Sequence, residues 1–246
     1  MGYATCSHRL YQSTGRVVLL THTRILHVGA FQSTEPTARY MVGISGIPGS
    51  GKTSLATAVI HRLNAMSPSP VAACIAMDGY HLTRAQLSAM PDPVLAFARR
   101  GAAFTFDPTN LIALINSLRN PLTTSSPTLY APSFDHAVKD PVENDIPIPP
   151  SARVLLFEGN YLALDKKPWS DAAALLDELW FVEVDFEVAR QRLVKRHVRA
   201  GIAKDEEEAD KRARENDLVN GREIVDNRLP VAEIITSRED ARWKTP

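Results

Sequence analysis

Cysteine is close to absent from this chain: Cys6 and Cys74 are the two among 246 residues. They lie far apart, and no Cys/His group carries zinc-ligand spacing. A disulfide framework and a structural zinc site are therefore not expected, and a reducing compartment is the natural setting. Charge of one sign is missing as well. Lys plus Arg numbers 28 and Asp plus Glu numbers 28, so no overall field draws in nucleic acid or an anionic membrane. No apolar stretch approaches the roughly 20 residues of a membrane-spanning helix. No internal repeat is present. What remains is ordinary: 44% hydrophobic residues, and enough length for one α/β domain with a substantial core, or one domain plus a small insert.

Lysine is missing from residues 1–39, which hold four arginines and one acid, Glu35. That bias is the composition of a mitochondrial presequence. A poorly ordered tail, or an over-extended gene start, accounts for the same residues and is the expectation adopted. Met41 falls inside the first strand, too late to serve as a start. Residues 40–246 are the expected domain. The setting is cytoplasmic, or mitochondrial if residues 1–39 are a presequence.

Glycine is sparse, 12 in all, yet Gly46, Gly49 and Gly51 fall together. Gly46-Ile47-Pro48-Gly49-Ser50-Gly51-Lys52-Thr53 fits the phosphate-binding loop G-x-x-x-x-G-K-[ST] at every fixed position. The glycines allow a tight turn whose amides point at phosphate oxygens. The helix starting near Gly51 aims its positive end at the same place. Lys52 adds a mobile cation, and Thr53 offers a hydroxyl to Mg²⁺. The expected nucleotide-binding set is Gly46, Pro48, Gly49, Ser50, Gly51, Lys52, Thr53 and Ser54. The apolar run 40–45 before the loop reads as a buried parallel strand, and Leu55, Val59, Ile60 and Leu63 after it recur at helical spacing.

Five core strands are expected: 40–45, 71–77, 153–158, 179–184 and 231–236. Helical patterns lie at 52–64, 93–100, 108–118, 171–177, 186–200 and 205–226. The alternation implies a P-loop α/β fold: a mainly parallel five-stranded sheet with helices on both faces and a helical lid near 186–204. Residues 120–151, dense in proline and Ser/Thr, read as a long loop or small excursion, and such loops are often functional.

The P-loop alone does not separate kinases from GTPases or ATPases. No guanine-reading Asn-Lys-x-Asp occurs. The second strand ends in Met77-Asp78-Gly79-Tyr80-His81. An Asp on a strand beside the P-loop strand can take a proton from an attacking hydroxyl and help hold Mg²⁺, although Asp-Gly is also a common turn. The third strand ends in Phe157-Glu158-Gly159, a place for a second carboxylate near the metal. Arg192, Arg196 and Arg199 fall at i, i+4 and i+7, on one helical face, and repel one another unless an anion sits between them. Such a face is either a solvated basic patch or a lid that neutralises a transferring phosphate. Asp217 and Asn220 are either tethers of that lid or solvated helix positions.

These segments occur in an order that resembles a known group. Val42 to Leu55, Met77-Asp78-Gly79-Tyr80-His81-Leu82, Arg100-Gly101 with Thr105-Phe106-Asp107, Tyr130-Ala131-Pro132-Ser133-Phe134-Asp135, Glu158-Gly159-Asn160-Tyr161-Leu162 and Arg192 to His197 look like the uridine kinase, pantothenate kinase and phosphoribulokinase group of P-loop kinases. The nearest strings are those of a branch holding fungal ATP-dependent kinases and bacterial fructose-transport-kinase-like proteins. The resemblance spans roughly residues 40–240. It implies Mg-ATP-dependent transfer of the γ phosphate to a hydroxyl of a small metabolite. It implies Asp78 as catalytic base, with Lys52, Arg192 and Arg196 acting on the phosphate, and Thr53, Asp78 and Glu158 around the metal. Tyr80, His81, Arg100, Asp107, Asp135 and His136 would face the acceptor, and Thr236–Arg238 the adenine.

The chain departs from that branch where Ala103 and Phe104 replace a proline and an acid, and where His136 replaces an arginine. The acceptor class therefore stays open among sugars, glycerate-like acids, pantothenate-like molecules and nucleosides, and a homodimer stays open too. The rival reading is a regulatory ATPase or nucleotide-dependent switch acting on a protein partner.

Overall fold

Period-2 alternation along the strands decides the architecture. In the computed structural model, which describes residues 35–135 and 137–238 and the backbone of 9–13 and 16–19, the strands are β1 (Arg9–Ser13), β2 (Arg16–Leu19), β3 (Tyr40–Gly46), β4 (Ala72–Ala76), β5 (Leu129–Asp135), β6 (Asp140–Ile148), β7 (Val154–Glu158), β8 (Glu178–Glu183) and β9 (Glu233–Thr236). The helices are α1 (Lys52–Ala65), α2 (Arg84–Ser88), α3 (Pro93–Ala98), α4 (Pro108–Arg119), α5 (Trp169–Ala173), α6 (Phe186–Arg199), α7 (Glu206–Arg212) and α8 (Leu218–Asp226).

Tyr40, Val42 and Ile44 of β3 join one apolar cluster with Leu55, Ala56, Val59 and Leu63 of α1. Met41, between them, joins another with Leu111, Ile115 and Leu118 of α4. β7 divides the same way, with Val154 and Leu156 in the first cluster and Leu155 and Phe157 in the second. Successive side chains of a strand point to opposite faces, so a strand apolar at every position must be covered twice.

The strand order is β2-β1-β9-β8-β3-β7-β4. The five strands from β9 to β4 are parallel. The pair β1–β2, from the segment expected to lie outside the domain, continues the sheet antiparallel past β9. One sequence expectation is corrected. β4, which leads to Asp78, is not beside the P-loop strand, because β7 lies between them. Glu158 is opposite Ile44 of β3 on one side and Ala76 of β4 on the other. The reason is burial: β7 is buried at all five positions, whereas β4 is partly exposed at three of its five. The strand that can be dry on both faces takes the inner place, and chain order does not reveal it.

Residues 120–151 are less irregular than expected. β5 and β6 pair as a hairpin from Leu129↔Ile148 to Asp135↔Asp140. Pro132, Pro141 and Pro147 argue against strands in a sequence reading, but a two-stranded ribbon has outward edges where a missing N–H costs nothing. The helix expected over 205–226 is interrupted by a π turn, Ala213–Asp217, between α7 and α8. Among the described residues no helix is long and apolar enough to cross a membrane.

Candidate active site

The P-loop leaves β3 at Gly46 and enters α1 at Lys52. Gly49 has φ 80° and Gly51 φ 92°, left-handed values that a side chain would strain. Gly49 also has no room: a Cβ there would stand 2.8 Å from the Ala189 carbonyl oxygen and 3.2 Å from Leu193 Cγ, both on α6. Ile47 is buried and pins the loop. No side chain caps the start of α1, so its first-turn amides are left for an anion. Ser50 Oγ is buried without a hydrogen-bond partner. Thr53 and Ser54 are exposed on the first turn of the helix. This arrangement fits a nucleotide's phosphates.

Behind the loop the charges converge. Burial lowers the Lys52 ammonium from its ordinary value, while Glu158 and Asp78 pull it back towards the charged form. Burial raises the Glu158 carboxyl above its ordinary value; Lys52 and a hydrogen bond from Thr53 oppose that shift. Asp78 sits in the 3₁₀ turn Met77–Tyr80 that follows β4. Each carboxylate is followed by a glycine against which something packs. A Cβ on Gly159 would stand 2.3 Å from Met77 Cβ, and one on Gly79 would stand 2.1 Å from the Pro132 carbonyl oxygen. The first contact locks the Glu158 turn to the Asp78 turn. The second seats the β5–β6 hairpin on the Asp78 turn.

The arginine helix α6 lies across the loop. Arg192 Nη1 donates to the Gly49 carbonyl oxygen at 3.1 Å and to Ser237 Oγ at 2.9 Å. Arg196 is exposed, and its charge acts on both Lys52 and Glu158. The structure therefore brings Lys52, Thr53, Asp78, Glu158 and Arg196 together, with Arg192 on the rim and Ser237 beside Gly51.

The expected acceptor residues are less uniform. Tyr80 is buried, its hydroxyl has no hydrogen-bond partner, and burial drives its ionisation far up. His81 Nδ1 donates to the Asp78 carbonyl oxygen at 2.8 Å, and its ring packs 4.0 Å from Phe106 and 4.8 Å from Phe134 between centroids. Arg100 donates to the Leu82 carbonyl oxygen at 3.0 Å and pairs with Asp140 at 3.4 Å. Both Asp107 oxygens serve Asn110 in the cap of α4, at 3.0 and 2.7 Å. Asp135 accepts from the Ala137 and Val138 amides at 2.7 and 3.0 Å, turning the hairpin. His136 lies outside the described residues.

Sequence reasoning did not find Arg99, Asn216 or His197. Asn216 and Asn220 are buried on an otherwise charged helical stretch, and two asparagines at i, i+4 were the available signal. Among the described residues no cluster of three His, Cys, Asp or Glu forms a metal cage. Magnesium on a nucleotide takes few protein ligands, its remaining positions going to phosphate oxygens and water, so Thr53, Asp78 and Glu158 are a fitting set.

A parallel sheet with this loop, these carboxylates and an arginine helix defines a P-loop kinase. No family model matches the chain. It is 58% identical over 159 residues to the ATP-dependent kinase-like protein notR' of Aspergillus versicolor, covering 65% of this chain and 92% of the relative. It is 41% identical over 195 residues to C227.14 of Schizosaccharomyces pombe, named as a candidate uridine kinase, covering 79% and 82%. Among solved structures, a candidate fructose transport system kinase from Silicibacter sp. superposes with TM-score 0.73 at 32% identity, over 87% of this chain and 97% of that one. The chain belongs to the uridine kinase-like P-loop kinases, in the branch of fungal ATP-dependent kinases.

Proposed function

We propose that this chain uses Mg-ATP to phosphorylate a hydroxyl of a small metabolite. The observation that carries the reading is the meeting of Asp78 and Glu158 with Lys52 at the carboxyl end of the sheet, under an arginine helix. Lys52 and the amides of the loop hold the β and γ phosphates. Asp78 takes the proton of the acceptor hydroxyl as its oxygen bonds to the γ phosphorus, the bond to the bridging oxygen breaks, and ADP leaves. Arg192 and Arg196 close over the phosphates, meeting charge spread on the phosphoryl oxygens. Thr53, Asp78 and Glu158 would hold a nucleotide-bound Mg²⁺, which would supply charge neutralisation. Most of the acceleration then comes from positioning and electrostatics. The hairpin β5–β6, resting on Gly79, forms the acceptor-side wall.

The test is Asp78→Asn. It keeps the shape of the turn and is expected to keep affinity for ATP without Mg²⁺, measured by titration calorimetry. Phosphoryl transfer falls about 10²–10⁴-fold, the usual worth of a general base. Wild-type transfer in that variant removes Asp78 from the mechanism. Acceptor dependence separates the rival: a nucleotide switch releases ADP no faster with any hydroxylated metabolite than with water alone.

A further inference from the structure

The π turn Ala213–Asp217 sends two adjacent side chains to two different parts of the site. Asn216 accepts from Arg99 Nε at 2.9 Å and donates through Nδ2 to the Arg100 carbonyl oxygen at 3.0 Å. Asn220, one turn on, accepts from Arg99 Nη2 at 2.7 Å. Both asparagines are buried. The segment they hold runs into Gly101, whose φ is 104° and whose carbonyl oxygen accepts from the Tyr161 hydroxyl at 2.7 Å. This is the acceptor side of the site.

Asp217 reaches the other way. Its Oδ2 meets His197 Nε2 at 2.9 Å, and His197 is 3% exposed on α6, next to Arg196. The His197 carbonyl oxygen accepts from the Ile202 amide at 2.9 Å, so the same residue closes the end of the lid helix. A π turn carries one more residue than an α turn and is uncommon unless something uses it. Here it is used twice, in consecutive residues. Buried polar groups in one network respond together, because cutting one bond strands its partner.

We propose that Asn216 and Asp217 are positioning residues that tie the lid helix to the acceptor loop Arg99–Gly101. Through the π turn, the lid arginines are set in place when that loop is set in place. What the two ends do rests on the kinase reading; the tie itself does not. In a kinase it makes closure over the nucleotide depend on the acceptor side, which is a guard against spending ATP on water.

Hydrogen exchange on the full chain tests the tie, with and without Mg²⁺ and a non-hydrolysable ATP analogue. Asp217→Ala cuts the bond to His197 and leaves those of Asn216 and Asn220. It is expected to speed exchange at the Gly101, Ala102 and Thr105 amides about fivefold or more. Asn216→Ala is expected to do the same at Ala200 and Ile202 of the lid. Leu155–Phe157 of β7 keep wild-type rates in both. Asn216→Asp, which keeps the acceptor for Arg99, restores most of the protection. Should Asp217→Ala fail to fold, His197→Leu cuts the same link from the other end. A loosened lid with an unchanged acceptor loop overturns the tie. So does faster exchange in β7 by the same factor, which marks general destabilisation. A chain that takes up no analogue contradicts the kinase reading, and the exchange rates of the nucleotide-free chain then still decide the tie.

Discussion

The two walls of the site are built differently. The P-loop wall is local: eight consecutive residues, a strand before them and a helix after them. The wall proposed to face the acceptor is assembled from the Asp78 turn, the loop Arg99–Asp107, the hairpin β5–β6 and the π turn, which lie far apart in the chain. The P-loop wall is the same object in many proteins because a phosphate always asks for the same thing. On the proposed reading, the second wall carries the departures at Ala103 and Phe104, which would bear on the choice of hydroxyl. Sites built on hydrogen bonds discriminate strongly by which polar groups they leave unpaired.

A matched pair of glycine substitutions breaks the comparison open. Gly49→Ala adds a Cβ at φ 80°, 2.8 Å from the Ala189 carbonyl oxygen. Strain of about 1–3 kcal/mol at the phosphate cradle lowers nucleotide affinity about five- to 150-fold, read by calorimetry. Lys52→Ala is the more drastic form: Mg²⁺ with a non-hydrolysable ATP analogue no longer raises Tm. Gly79→Ala acts on the other wall. Its Cβ would stand 2.1 Å from the Pro132 carbonyl oxygen, so the hairpin must move off the Asp78 turn. Overpacking costs about 1–3 kcal/mol of stability. Nucleotide affinity stays near wild type and acceptor-dependent ADP release is lost. Equal loss of nucleotide affinity in Gly49→Ala and Gly79→Ala contradicts the division of the site into two walls.

Acidity sharpens it further. The Glu158 carboxyl is raised by burial, so its neutral form appears at a higher pH than for an ordinary carboxylate. A neutral carboxyl is a poor magnesium ligand. As pH falls, Mg-nucleotide affinity therefore drops earlier than an exposed Glu would cause, and Glu158→Gln removes that limb of the titration. An affinity flat down to the ordinary carboxylate range contradicts the assignment.

The smallest effect concerns Cys74, half-buried in β4 against the apolar cluster shared with α1. Burial pushes its thiol up to about 12. The thiolate fraction at pH 8 is then on the order of one part in ten thousand. In a Cys6→Ser background, iodoacetamide at pH 8 leaves the native chain unmodified and labels it once denaturant is added. Rapid native labelling contradicts the raised thiol.

Legibility follows the same divide. Gly46–Thr53, the five parallel strands and the arginine helix were readable because each is carried by short-range pattern: a motif, an apolar run, an i, i+4, i+7 face. The order of the strands was not. Asp78 was expected beside the P-loop strand, and β7 takes that place because it is apolar on both faces, a comparison between strands that no single strand displays. The hairpin was hidden by Pro132, Pro141 and Pro147, which a ribbon tolerates and a central strand does not. Asp107 and Asp135 were expected by motif to face the acceptor; the hydrogen bonds by which their carboxylates also cap a helix and turn a hairpin were not foreseen. Asp217 and Asn220 were readable as candidate lid tethers, but the bond between Asn216 and Arg99, 117 positions apart, leaves no local trace beyond two asparagines.

The most direct measurement is a crystal structure of the chain with Mg²⁺, a non-hydrolysable ATP analogue and the lid shut. The account predicts the γ phosphate at Lys52, with the Asp78 carboxylate placed so that an in-line hydroxyl oxygen stands about 3 Å from it. An Asp78 turned away from the phosphate, beyond the reach of any hydroxyl in line with it, contradicts the account.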